Sequence, residues 1–186
     1  MSARRLWIFV CALGASLSLA ACGQTAQPTS ILNNGVYVDA GQITYQLQVS
    51  RELNPFATED QQYLAGLPSG AESLGANDLW YGVFLWAKNQ TNRPQLTASR
   101  FDILDSSDHR YYPVQLNAEL NAYAWTPQLL IPSGVQPLPS TTAAAGATGG
   151  NLLLFKLPTS VYSNRPLTLQ IFPAGSSRPG QISLDL

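Results

Sequence analysis

Asp78-Leu79-Trp80-Tyr81-Gly82-Val83-Phe84-Leu85-Trp86-Ala87-Lys88 is the stretch that decides the fold. Successive side chains of a β-strand point to opposite faces, so Leu79, Tyr81, Val83, Leu85 and Ala87 line one side while Trp80, Phe84 and Trp86 line the other. Both sides are apolar. Such a strand has to be covered on both, which predicts a central strand with part of its second face buried.

Upstream, Ile43, Tyr45, Leu47 and Val49 alternate with Gln42, Thr44, Gln46 and Gln48, the period-two pattern of a half-buried strand. Asn54-Pro55 ends that pattern. Thr58, followed by Glu59 and Asp60, is read as the N-cap of a short helix reaching Leu64, and Pro68, Gly70 and Gly75 mark residues 67–77 as loop.

Downstream, residues 89–94 form a turn of Asn, Gln, Thr, Arg and Pro. Phe101, Ile103 and Leu104 make a strand that Asp105-Ser106-Ser107-Asp108 turns back toward Tyr111, Tyr112, Val114 and Leu116. With no Gly in that turn, its loop is expected to exceed two residues. Leu129–Ile131 is a short apolar patch ahead of residues 132–150, where Pro, Ser, Thr, Ala and Gly predominate and a loop is expected. Asn151–Leu157 and Leu167–Phe172 complete the set. About seven short strands with no helix of ordinary length predict an all-β domain over residues 35–186, an immunoglobulin-like antiparallel β-sandwich.

The N-terminus carries an address. Arg4 and Arg5 precede the mostly apolar run Leu6–Leu19 and the small residues that follow, the order of a secretion signal over residues 1–21. Leu19-Ala20-Ala21-Cys22 resembles the bacterial lipobox, in which the Cys thiol is acylated before cleavage just ahead of it. Cys22 is therefore the expected lipidation site, residues 22–34 a flexible tether, and the location the extracytoplasmic side of the cell membrane. The second Cys, Cys11, falls inside the signal, so the mature chain has no disulfide.

The full chain of 186 residues carries 10 Lys plus Arg against 11 Asp plus Glu, a formal net charge of -1. Loss of Arg4 and Arg5 with the signal makes the mature protein mildly acidic. No basic stripe remains to neutralise phosphates, which argues against nucleic acid as a partner and against polybasic attachment to a bilayer. Anchoring would come from acyl chains, each buried methylene contributing roughly 0.8 kcal/mol.

The framework also carries a likeness. Lys88-Asn89-Gln90-Thr91 closing the central strand, then Phe101-Asp102-Ile103-Leu104-Asp105 with Tyr111 downstream, and later Leu153-Leu154-Phe155-Lys156-Leu157-Pro158, resemble bacterial secreted or lipid-anchored domains of immunoglobulin-like, telokin-like fold. Tyr37-Val38-Asp39, Arg51-Glu52-Leu53-Asn54-Pro55 and Tyr63-Leu64 with Gly66-Leu67-Pro68 are similar to a group of actinobacterial-type exported proteins. The resemblance spans residues 43–172 and implies a fold; it supplies no catalytic residue. Where the pattern has Gly in the middle turn, this chain has Asp108 or His109.

Residues able to carry chemistry are few. Asp102, Asp105 and Asp108, spaced by three, are the weak candidates for a hard cation such as calcium, but the spacing is not that of an EF-hand, and an ordinary solvated turn is expected. His109, the single His, excludes a zinc site built on several His. It could join a Ser-His-Asp arrangement, yet no Gly-x-Ser-x-Gly elbow is present. Glu52, Glu59, Asp60, Glu72 and Glu119 read as scattered surface acids, although glycoside hydrolysis would need a carboxylate pair. No phosphate-binding glycine motif occurs, and no cofactor is expected.

Aromatic residues are the stronger lead, because Trp and Tyr combine contact area with a polar handle. Most should fill the core. Trp125, in the loop-like stretch 121–127, is the expected recognition residue, with Tyr123, Tyr111 and Tyr112 as further surface candidates. The sequence thus reads as a lipid-anchored binding or accessory module rather than an enzyme, its partner an envelope protein or cell-wall ligand. The alternative is a small envelope hydrolase using His109 and nearby acids.

Overall fold

The computed structural model describes residues 30–31 and 37–184. The expected signal peptide, Cys22 and most of the tether lie outside the described residues. In chain order the elements are β1 (Ser30–Ile31), β2 (Tyr37–Ala40), β3 (Ile43–Leu53), α1 (Thr58–Gln61), β4 (Asp78–Asn89), β5 (Gln95–Leu96), β6 (Arg100–Leu104), β7 (Arg110–Tyr111), β8 (Pro113–Val114), β9 (Leu129–Leu130), β10 (Val135–Gln136), α2 (Thr142–Ala145), β11 (Asn151–Pro158), a 3₁₀ turn (Thr159–Tyr162), β12 (Leu167–Phe172) and β13 (Gly180–Leu184). Seven of these strands have four residues or more, and they are the ones that build the sandwich.

One sheet runs β2-β3-β4-β11-β8, and the other runs β1-β13-β12-β6-β7. Strand pairs in both are antiparallel except β1 with β13. A separate ribbon joins β5 to β9. Since β3 follows β4 along almost its whole length, β10 pairs with the other edge of β4, in line with β11.

The two-faced reading of β4 holds. Leu79, Tyr81, Val83, Leu85 and Ala87 belong to the core between the sheets, together with Phe155, Leu169, Ile171 and Ile182. On the opposite face Trp80 and Phe84 join a second, smaller core with Leu53, Tyr63, Tyr123, Ala143, Leu152 and Leu154. That second core is roofed by α1, α2 and the segments around residues 64–74 and 114–123. Gly82 belongs in this contact. A Cβ there would stand 3.1 Å from both Leu53 Cδ1 and Phe84 Cε2, closer than a side chain normally sits.

β3 departs from simple alternation. The pairing register shifts between Leu47 and Val49, making Gln48 an inserted residue, and an insertion of this kind swaps the faces of everything beyond it. Ile43, Tyr45 and Leu47 enter the main core, but Val49 and Leu53 pair with Phe84 and Trp80 and join the second core. Val49 is thus not on the face that strict alternation assigned to it.

Two other expectations change. Ala57, not Thr58, is the N-cap of α1, and no side chain caps the helix, which is one turn long. Instead Asn54 Oδ1 accepts the Phe56 N–H at 2.9 Å, and Asp60 binds back to Arg51 and to the Asn54 N–H. The stretch 132–150 is also more ordered than a loop, since it holds β10 and α2. Elements of two and four residues are too short to leave a periodic signal.

Asn89 explains how that stretch is held. Fully buried, its Nδ2 donates to the carbonyls of Arg93, Leu130 and Ile131 at 2.7, 2.9 and 3.1 Å. Its Oδ1 accepts from the Thr91 N–H and hydroxyl, while its backbone bonds to Ser133 and Gly134. An amide supplies both donors and an acceptor, and a carboxylate would not. Asn89→Asp should therefore cost more stability than Asn89→Ala, each on the order of 2–4 kcal/mol because buried carbonyls lose their donor. Urea unfolding of both variants checks this, and an aspartate as stable as the native chain would contradict it.

Candidate functional site

Trp125 is 8% exposed, which removes it from the recognition surface expected of it. Its ring meets Tyr45 and Phe101 with centroids 6.0 and 5.4 Å apart, and its Nε1–H donates to the Ala98 carbonyl at 2.9 Å. The Ala98 N–H in turn donates to the Tyr45 hydroxyl at 2.7 Å, so two buried aromatics clamp the link between β5 and β6. An indole whose N–H finds a backbone carbonyl can be buried without loss. Tyr123 is likewise 7% exposed and belongs to the second core, its hydroxyl bonded to Gln62. Tyr111 is half-buried against the main core. Of the four, only Tyr112 is well exposed.

The acidic turn between β6 and β7 organises the backbone around Asp105. Its Oδ1 accepts the N–H groups of Ser107 and His109, and its Oδ2 accepts from the Tyr111 hydroxyl at 3.0 Å and Asn164 Nδ2 at 3.1 Å. Burial alone would raise this carboxyl, yet the backbone donors of His109 and Ser107, with Tyr111 and Asn164, outweigh it and hold the group at about 2. The Tyr111 phenol is pushed the other way, to about 12, by burial and by donating to that carboxylate. Asp108 adopts φ of 64°, the left-handed position where the resembling pattern carries Gly, and Asp is among the few residues that tolerate it.

Asp102 faces elsewhere. It pairs with Arg110 at 2.9 Å, and Arg110 also reaches Gln170. The three spaced carboxylates therefore do not converge, and among the described residues no group of three His, Cys, Asp or Glu side chains is placed to hold a metal ion. His109 Nδ1 lies 3.2 Å from Asp105 Oδ2 with the imidazole largely exposed, a contact within the same turn. Three of the other acids are engaged separately: Asp60 by Arg51, which lowers its carboxyl through that hydrogen bond, Glu52 by the Tyr162 hydroxyl and Glu72 by the Gly70 N–H.

A further candidate surface was not singled out by the sequence. It is the far side of β2-β3-β4 beyond the second core. There the register sets Tyr37, Gln46 and Trp86 across three strands in one row, with Asp39, Thr44 and Lys88 in the next. Tyr37, 40% exposed, stands edge-on to Trp86 at 6.3 Å and 70°. Gln48, the inserted residue, donates its amide to Gln46 Oε1 at 2.8 Å. An open hollow of about 420 Å³ lies over Gln46, Gln48 and Trp86 and is walled by Pro137, Pro139 and Gly149. Its lining contains no charged residue. The wall belongs to the 132–150 stretch that Asn89 ties down.

No family model matches the chain, and no curated protein does. Among solved structures, the yjhA protein from Bacillus subtilis superposes with a TM-score of 0.55 at 13% identity, covering 83% of this chain and 100% of that one. An uncharacterized beta-sandwich protein from Clostridium difficile 630 gives 0.42 at 11% identity over 82% of this chain and 92% of its own. A conserved hypothetical protein from Bacillus anthracis gives 0.45 at 10% over 79% and 92%. The first shows the fold alone. That fold is an antiparallel β-sandwich.

The Asp105 carboxyl makes a checkable acid limb. Its folded-state value lies below the ordinary 3.8, so its stabilisation is present above pH 4 and is lost as pH falls toward 2. A shift of nearly two units corresponds to about 2 kcal/mol. Denaturant unfolding between pH 6 and pH 2 should show Asp105→Asn less stable near neutrality by about that much and the gap closing with acid. A gap independent of pH would contradict the assignment.

Proposed function

We propose that this chain is a lipid-anchored extracytoplasmic module of the cell envelope that binds a ligand or partner through the outer face of β2-β3-β4. The order of charge, apolar run, small residues and Cys22 in the sequence supports the anchor. The observation that carries the binding reading is the uncharged hollow in which Trp86 lies beside the paired amides of Gln46 and Gln48. Aromatic surface with a few placed polar groups is how binding sites are usually lined. A rigid sandwich suits this task, since sheet and wall are positioned by the same buried strand.

The anchor gives the first test. Cys22→Ala should abolish incorporation of labelled fatty acid and release the protein from the membrane fraction, and label persisting in the variant would overturn the assignment. For the binding face, in-cell crosslinking of the full-length protein followed by mass spectrometry should capture an envelope component that Trp86→Ala loses and Tyr112→Ala retains. Capture indifferent to Trp86 would place recognition elsewhere.

A further inference from the structure

Resting on that reading of the face, we infer that the hollow over Trp86 takes a neutral carbohydrate, one sugar ring lying against the indole with its hydroxyls bonded by Gln46 and Gln48. Three features of the molecule lead there. The first is the lack of charge. The lining carries neither cation nor anion, and the nearest charged row, Asp39 and Lys88, is balanced, with Asp39 accepting the Thr44 hydroxyl at 2.6 Å. A phosphate, nucleotide or acidic polymer would find no counter-charge, and burying ionised groups without a partner is costly.

The second feature is the amide pair. A carboxamide offers donor and acceptor in one plane, which matches neighbouring hydroxyls that must both give and receive. The Gln48 to Gln46 bond fixes the relative orientation of the two amides. Alternation places Gln48 on the same face as Gln46, and the register shift between Leu47 and Val49 falls at that position; insertions of this kind are common beside functional sites. Such a shift is otherwise a cost to the sheet. Gly149, at φ of 58°, lines the hollow on the side of Gln48.

The third feature is the aromatic arrangement. Tyr37 meets Trp86 edge-on from the β2-β3 side of β4, while β10 pairs with the opposite edge of β4 beside Trp86 and leads into Pro137 and Pro139 of the lining. An indole beside proline side chains suits the C–H side of a pyranose. A proline-rich peptide would need parallel aromatic ridges to grip successive residues, and here the second ring is turned away. Prolines also bring no N–H to the wall, so the side-chain hydrogen-bonding groups of the lining are the two glutamine amides and the Trp86 indole N–H.

The test uses the full-length protein in detergent, titrated with neutral oligosaccharides of glucose, N-acetylglucosamine and mannose and read by tryptophan fluorescence. Trp80 and Trp125 are buried, leaving Trp86 as the described indole that can report contact. At least one neutral sugar should change the emission saturably. Trp86→Ala and Gln48→Ala should each weaken binding about tenfold or more, read by calorimetry for the tryptophan variant, with Trp86→Phe recovering part of the loss and unchanged thermal unfolding showing that the variants fold. If no neutral sugar binds while crosslinked capture still depends on Trp86, the saccharide class is wrong and the binding face stands. A proline-rich peptide or an anionic glycan binding in place of the neutral sugars would overturn the inference in the same way. If neither sugars nor capture depend on Trp86, the face itself falls.

Discussion

A strand with two apolar faces has to be covered twice, and the rest of this molecule follows from that requirement on β4. One face is met by the second sheet, whose β12 and β13 bring Leu169, Ile171 and Ile182 into one core with Tyr81 and Val83. The other is met by no second sheet, but by short segments that wrap Trp80 and Phe84 with Tyr63, Tyr123 and Ala143, beside Leu152 of the neighbouring β11. Apolar burial is the principal favourable term in folding, so the two cores make β4 the element whose loss would undo both layers. The cover on the second face stops before Trp86, which remains only partly buried. The open hollow is the end of a strand whose other aromatics have been used for packing.

Polar side chains fix the covering segments where apolar contacts would leave them free to slide. Asn89 ties residues 130–134 to the end of β4. Asn121, also buried, donates to the carbonyls of Tyr63 and Ala65 and accepts the Tyr123 N–H, joining two roof segments. Asp60 and Arg51 close the turn that leads into α1. Each is a buried or half-buried group whose hydrogen-bonding capacity is met by backbone or by a partner side chain, which is where such groups are tolerated. Because Asn89 holds the wall containing Pro137 and Pro139, the geometry of the hollow is coupled to the stability of the domain.

Much of this was legible in the sequence wherever a period of two ran long enough. The faces of residues 79–87, the sandwich class and the turn at Asp105 follow from alternation and turn chemistry. What escaped did so for local reasons. The register shift at Gln48 has no composition signal, so Val49 was assigned to the wrong face. Strands of two residues, such as β5, β9 and β10, have no period to read. Trp125 sits in irregular backbone, which suggested exposure, but its burial depends on the Ala98 carbonyl 27 residues away in sequence. Trp86 was legible as a strand residue on the second face. That it lies beyond the cover of that face depends on where the roof ends, a tertiary fact.

The function of this domain turns on whether the open end of β4 is a place where something binds. A crystal structure of the protein grown with a saturating neutral oligosaccharide addresses this most directly. The predicted result is a pyranose ring stacked on Trp86, between Tyr37 and Pro137, with hydroxyls bonded to Gln46 and Gln48. A saccharide bound elsewhere, or Trp86 covered by the protein's own chain in the crystal, would contradict it.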